Sequence, residues 1–386
     1  MNPVYLDHAA TTPVRPEVRE AMAPFADSVF GNPSSQHRWG REASAALENA
    51  RADAAAALGA RNAEVYFVRG GTEADNLAVC GACRALAAST EGGCPRLLVS
   101  AIEHHAVLHV AERMAETGEA ELEVFAVHED GSLDLDRLRS ALDEGPALVS
   151  CMWVNNETGI VLPVEELSRV VAEAGATLHT DAVQAVGKLP VDLGAVEGIH
   201  LLTVSGHKIY GPKGTGLLFV RRGVGLAPLL HGGGQERKLR PGTEDVAGAV
   251  GLAAALRLAI DEREAEAARL TALRERLEAR LTSELEGVTI AGTSARRAPH
   301  VANAGFEGID ATMLLINLDL EGIAASGASA CQSGSGKGSH VIEALYGADH
   351  GRAHVRFSLG HLSDEENVSR AADKIVEVVR RLRGSP

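Results

Sequence analysis

Across the first two thirds of the chain, short apolar runs alternate with stretches of helical periodicity. The runs lie at 64–68, 96–100, 121–127, 147–154, 176–180, 201–204 and 216–220, and each has the length of a strand. Between them, 41–58, 73–88, 106–117, 135–142 and 163–174 put apolar residues on one helical face. Strands alternating with helices build βαβ units and a mostly parallel sheet covered on both faces. Ligands of such sheets sit beyond the carboxyl ends of the strands, so residues just after those runs are the candidates for chemistry.

From about Val246 the pattern changes. Residues 246–285 are almost continuously helical, apolar at first and Arg/Glu-rich over 261–280, as expected of a helix bridging two domains. Strands are predicted at 288–291, 302–306, 322–325 and 353–358, with a closing helix at 363–383. The length, 386 residues, exceeds what one core serves well. A large α/β domain over 14–258 and a small α+β domain over 259–386, joined by the arm 1–13, follow from this pattern.

Composition narrows the function classes. Fifty-two acidic residues face 37 basic ones, a net charge of −15, which argues against direct nucleic-acid binding. No apolar run is long enough to cross a bilayer, and the start lacks a signal-peptide pattern, so neither membrane insertion nor secretion is expected. Five cysteines, an odd and sparse set at 80, 83, 94, 151 and 331, suit a reducing cytoplasm. Lysine occurs at only six positions: 188, 208, 213, 238, 337 and 374.

One of these lysines stands out. Lys208 follows a buried run within Ser-Gly-His-Lys, before a Gly/Pro-rich turn, where an amine is well placed to form a Schiff base with a carbonyl compound; the plainer reading is a surface lysine. In TLHTDAVQAVGK, Asp181 ends a strand and Gln184 follows three residues on. That carboxylate is a partner for a protonated pyridine nitrogen, as pyridoxal phosphate requires, or else a helix N-cap. VRGGTEADN opens a helix with Gly70, Gly71 and Thr72, a phosphate cradle or a common capped turn. His104 and Asn156 also follow strands, suited to stacking or proton transfer and to hydrogen-bond donation, with packing or capping the alternative for His104.

Two further candidates lie in the small domain. Cys331 sits in ASGASACQSGSGKGSH, a run of small residues that cannot pack a core, and reads as a nucleophile on a tether. Arg356 is placed to hold a carboxylate, or to make a structural ion pair. Cys80 and Cys83 form a CxxC within a helix and lack a second ligand pair, so no resident metal is expected. Cys94 and Cys151 read as loop and core residues.

Taken together, these residues resemble the pyridoxal-phosphate cysteine desulfurases, the NifS/IscS-like group of the class V aminotransferase fold. The resemblance runs through YLDHAATTP, GNPSSQHRWG, TEADN, EHHAV, VNNETG, DAVQAVGKLP, SGHKIYGPKG, HGGGQERKLRPGT, SGASAC and RFSLG, in order along nearly the whole chain. It implies a type I pyridoxal-phosphate transferase fold in a homodimer. By the resemblance, Lys208 forms the Schiff base, Asp181 pairs with the pyridinium nitrogen and Gln184 supports the phenolic oxygen. His104 stacks on the ring and moves protons. Gly71, Thr72, Ser205 and His207 hold the phosphate, with Thr243 arriving from the neighbouring subunit. Asn156 and Arg356 orient L-cysteine, and Cys331 takes the sulfur as a persulfide for an acceptor protein. That acceptor is an iron–sulfur scaffold, with a transient cluster contact at Cys331, or a tRNA-thiolation enzyme.

The chain departs from the family at Arg69–Ala74 and at Gln332, and, ending soon after its closing helix, it is not expected to carry the extension with which housekeeping members dock a scaffold. Rival readings are a selenocysteine lyase or another class V enzyme, and a docking protein without turnover.

Overall fold

The computed structural model describes residues 3–89, 94–327, 338–347 and 351–384. Cys331, Gln332 and Lys337 lie outside the described residues. The strands, in chain order, are β1 (Val4–Tyr5), β2 (Val65–Val68), β3 (Arg96–Ser100), β4 (Glu121–Phe125), β5 (Ala147–Ser150), β6 (Thr177–Asp181) and β7 (Leu201–Ser205). Then come β8 (Gly216–Val220), β9 (Val288–Ile290), β10 (Val301–Glu307), β11 (Ile323–Ala324), β12 (Ser326–Gly327) and β13 (Arg352–Ser358).

Seven of them form one sheet in the order β2-β8-β7-β6-β5-β3-β4. It is parallel except for β8, which runs antiparallel to both of its neighbours. The apolar runs are continuous because both faces are covered, and successive residues point to opposite sides. Leu97, Val99, Leu148, Leu201 and Leu218 enter the core beneath the helix Gly71–Ser89. Their strand neighbours Leu98, Val149, Leu202 and Phe219 enter the core beneath the helices Arg38–Ala57 and Val246–Asp261.

A four-stranded antiparallel sheet, β12-β13-β10-β9, carries a separate core. There Phe306 and Phe357 meet Leu270, Leu273, Leu277 and Leu281 of the helix Arg263–Glu284 and Val368, Ile375 and Val379 of the helix Glu365–Leu382. The N-terminal segment joins this part: β1 pairs in parallel with β11, and Asp7 bridges to Ser358.

The predicted long helix over 246–285 is in fact two, Val246–Asp261 and Arg263–Glu284. They part at Glu262, whose carboxylate accepts from Arg15 Nη1 at 2.6 Å. The break has a packing cause, since the first helix buries its apolar residues against the large sheet and the second against the small one. The predicted strand over 147–154 also ends early, at Ser150. Residues 151–154 are buried yet irregular, with Trp153 N–H donating to Asp181 O at 2.9 Å; an apolar run reports burial before it reports conformation.

Candidate active site

The carboxyl ends of β2, β3, β5, β6 and β7 open onto one cavity of about 300 Å³. Its lining includes Gly71, Thr72, His104, Asn156, Asp181, Gln184, Ser205, His207, Lys208 and Arg356, predicted from five separate stretches of the large domain and one of the small. Thr243 lies outside it, on an exposed loop of the same chain.

Each side chain is delivered by local backbone chemistry. After β2, Gly70 takes φ +130, a conformation open to glycine, and the helix Gly71–Ser89 begins at once. A Cβ at Gly71 would come within 3.3 Å of Val183 and 3.4 Å of Ser205 Cβ, so the bare backbone here leaves room beside the Ser205 hydroxyl. After β3, His104 caps the helix His105–Glu116: its Nδ1 accepts from Ala106 N–H at 3.1 Å, which puts the ring hydrogen on Nε2. After β5, Asn155 ties the turn, accepting from Glu157 N–H and Thr158 N–H and donating to Ile102 O. Asn156 is thereby presented to the cavity.

Lys208 follows β7. Its Nζ donates to Ala9 O at 2.8 Å and Ala10 O at 2.6 Å, both carbonyls of the N-terminal segment. The same segment grips the turn beside it: Thr12 donates to His207 O, and His207 Nδ1 lies 3.0 Å from Thr11 Oγ1. Behind the turn, Lys188 Nζ donates to Lys208 O at 2.7 Å; burial and the nearby Lys208 charge push its ammonium down to about 7. Burial and Lys208 likewise lower His104 to about 4, so its imidazole is neutral at physiological pH.

Asp181 lies on the buried floor, 6% exposed, accepting from Val183 N–H at 2.9 Å. Burial raises its carboxyl to about 6, offset in part by that backbone donor and by the Lys208 charge. Beside it is Asp75, one helical turn after Gly71 and missed by the sequence reading although it sits within TEADN. Asp75 Oδ1 finds no hydrogen-bond partner among the described residues and lies 3.6 Å from His179 Nε2. Burial and the Asp181 charge hold this carboxyl well above its ordinary range. The floor is short of positive charge.

Arg356 makes the structural ion pair and faces the cavity as well. It lines the cavity, and its Nη2 pairs with Asp7 Oδ1 at 2.9 Å while Nη1 donates to Asn156 O at 3.0 Å. Its Nε, buried, has no partner among the described residues. Arg69 does not join the cavity; it pairs with Asp245 at 2.8 Å. Glu157 and His340 also line the site. Glu157 belongs to VNNETG, whereas nothing in the sequence marks His340, which enters from the far side of the segment carrying Cys331. Cys80, Cys83 and Cys151 are buried free thiols, and Cys94 is an exposed one.

Under the floor, Glu103 is fully buried, its Oε1 accepting from Ser100 Oγ–H and Met152 N–H at 2.6 Å each. Burial pushes its carboxyl up to about 8. A raised acid keeps its proton in the fold while the unfolded chain gives it up, so the associated stability is present at low pH and lost as pH rises toward 8. Glu103→Gln is therefore expected to match the parent near pH 5 and exceed it near pH 9, by on the order of 2–4 kcal/mol. Thermal unfolding of both proteins across that range checks this; parallel curves would show an ionised Glu103.

The fold and this cavity define an α/β class that gathers an amine, buried carboxyls and imidazoles at the carboxyl ends of its strands. The chain matches the family Aminotransferase class-V over residues 4–371, and it belongs to that family. Its relatives are more specific. It is 42% identical to Cysteine desulfurase IscS of Dictyoglomus turgidum, across 98% of this chain and 95% of the relative. Among solved structures it is similar to a NifS-like protein with a TM-score of 0.89 and 34% identity, covering 98% of this chain and 100% of the other. It is also similar to SspA in complex with cysteine, at a TM-score of 0.77 and 32% identity over 92% and 98% of the two chains.

Proposed function

We propose that this protein is a pyridoxal-phosphate-dependent cysteine desulfurase that takes sulfur from L-cysteine, releases L-alanine and passes the sulfur on from Cys331. The observation that carries the reading is the convergence on one cavity of the Lys208 amine, the buried Asp181 carboxylate, the Gln184 amide and the His104 ring. These residues suit the cofactor. Among the described residues Asp181 accepts from one backbone donor and makes no ion pair, so a protonated ring nitrogen would complete it. Gly71, Thr72, Ser205 and His207 would hold the phosphate at a helix start, where backbone N–H groups lack intrahelical partners.

When bound, the cofactor supplies an electron sink for the substrate's carbon skeleton. The chain's own groups do the rest. Lys208 would hold the cofactor, and its amine would exchange protons with the substrate carbon. His104, neutral and fixed by its cap, carries a proton on Nε2 toward the cavity. Arg356 and Asn156 orient the substrate carboxylate, which would share Arg356 with Asp7. The Cys331 thiolate attacks the substrate sulfur: an Sγ–S bond forms, the C–S bond breaks, and the electron pair left on carbon is protonated to give alanine.

The reading divides the chain into a large domain, 14–258, and a small domain, 259–386 with the arm 1–13. It includes a homodimer, supported by the exposed Phe30, Trp39 and Leu230. In that dimer Thr243 reaches the neighbouring chain's phosphate. The sulfur leaves for an acceptor protein, an iron–sulfur scaffold or a tRNA-thiolation enzyme. Free thiols at Cys80, Cys83, Cys94 and Cys151 fit a reducing cytoplasm, and among the described residues no helix is long and apolar enough to cross a membrane.

The test is turnover by the cofactor-loaded protein with L-cysteine and a reductant. Sulfide and alanine are expected in equal amounts. Neither product would leave a docking protein, and a strong preference for selenocysteine in competition would make it a selenocysteine lyase.

A further inference from the structure

The Gln184 amide has a partner that the proposed chemistry does not use. Gln184 Nε2 donates to Ala9 O at 3.0 Å, and His300 Nε2 lies 2.9 Å from Gln184 Oε1. Ala9 O is a main-chain carbonyl and can only accept, so the amide nitrogen must face it and the amide oxygen must face His300. The bond to His300 then requires a hydrogen on His300 Nε2. Its Nδ1, buried, has no partner among the described residues.

His300 is well placed to hold this arrangement. It is 2% exposed, it directly precedes β10, and its carbonyl accepts from Leu359 N–H at 2.8 Å. It reaches from the small sheet to a residue that follows β6 of the large one. Lys188, Arg356, Arg274 and His8, itself lowered to about 4 by burial, face it, and burial together with the cationic neighbours keeps its ring neutral, with one hydrogen to place. Both nitrogens of its neighbour His8 lack partners among the described residues, so no second acceptor there draws that hydrogen to Nδ1.

We infer that His300 is a positioning residue: by donating from Nε2 to Gln184 Oε1 it locks the amide so that a second Nε2–H is held toward the cavity. With the amide reversed, an oxygen lone pair would stand there instead. This rests on the proposed function in one respect, that the ligand facing Gln184 carries an anionic ring oxygen, as the cofactor's phenolate does. A donor to that oxygen competes for the negative charge that otherwise retains the neighbouring Schiff-base proton. Losing the donor raises the pH at which that proton leaves.

Two measurements test it. In protein labelled with ¹⁵N-histidine, without cofactor, the His300 resonance, assigned by its loss in His300→Gln, is expected to show the Nε2–H tautomer between about pH 6 and 8; the Nδ1–H tautomer would overturn the inference. In cofactor-loaded protein, His300→Leu is expected to raise the pH midpoint of the visible band by about half to one unit, a three- to tenfold change in proton affinity. His300→Gln, which can still donate, should restore it. In a Gln184→Ala background, His300→Leu should add nothing further. An unmoved midpoint in His300→Leu, or a shift that adds fully to that of Gln184→Ala, would overturn the inference. Should His300→Leu not fold, the tautomer alone decides. If the parent protein forms no visible band with pyridoxal phosphate, the functional reading fails while the tautomer still tests His300.

Discussion

Lys208→Ala is expected to yield a folded protein that stays colourless with pyridoxal phosphate and loses at least about 10⁴-fold of its cysteine turnover, as variants lacking a covalent nucleophile do. The expectation follows from where the amine sits. Lys208 and Lys188 flank the strand-end turn, and among the described lysines Lys208 alone lines this cavity. Truncation removes two hydrogen bonds, to Ala9 O and Ala10 O, each worth about 1 kcal/mol. That is a modest fraction of a domain's stability, so the fold should survive. Borohydride reduction of the loaded parent protein followed by peptide mapping should find the label on Lys208. A label on Lys188, or a coloured and active alanine variant, would remove Lys208 from its role.

The second large effect concerns the sulfur. Cys331→Ser should bind the cofactor as the parent does and respond spectrally to L-cysteine, yet release alanine at least about 10³-fold more slowly. A hydroxyl is far less nucleophilic than a thiolate and forms no stable bond to sulfur. Binding and sulfur transfer thus separate into two readouts: on the proposed function, Arg356, Asn156 and Lys208 would govern the first and Cys331 the second. Normal alanine release by the serine variant would mean that another group accepts the sulfur. The buried thiols are poor substitutes, since burial raises Cys80 and Cys83, the latter to about 12, and holds Cys151 well above its ordinary value.

Much of the arrangement is readable before any coordinates. The strands at 96–100 and 216–220 are found at their predicted bounds because both are short and flanked by clear helical or turn patterns. Residues at strand ends gather in one cavity because parallel strands share a direction, so a rule about strand ends becomes a rule about space. What escapes the sequence depends on contacts between distant segments. Asp75 is one acidic residue on a helix until Asp181, 106 positions away, lies beside it. His300 is a loop histidine until Gln184 faces it across the two sheets. Arg356 is ambiguous for the same reason, because its partner Asp7 lies 349 residues away. The division of 246–285 into two helices at Glu262 also needs both cores, since helical periodicity alone continues through it.

The opening residues of the chain, with β1 paired to β11 and the carbonyls of Ala9 and Ala10 on the Lys208 amine, carry a practical lesson for anyone producing the protein. An affinity tag at that end would join the chain only a few peptide units before the carbonyls that hold the Lys208 amine. Purification handles belong after the final helix, Glu365–Leu382, none of whose residues lines the cavity.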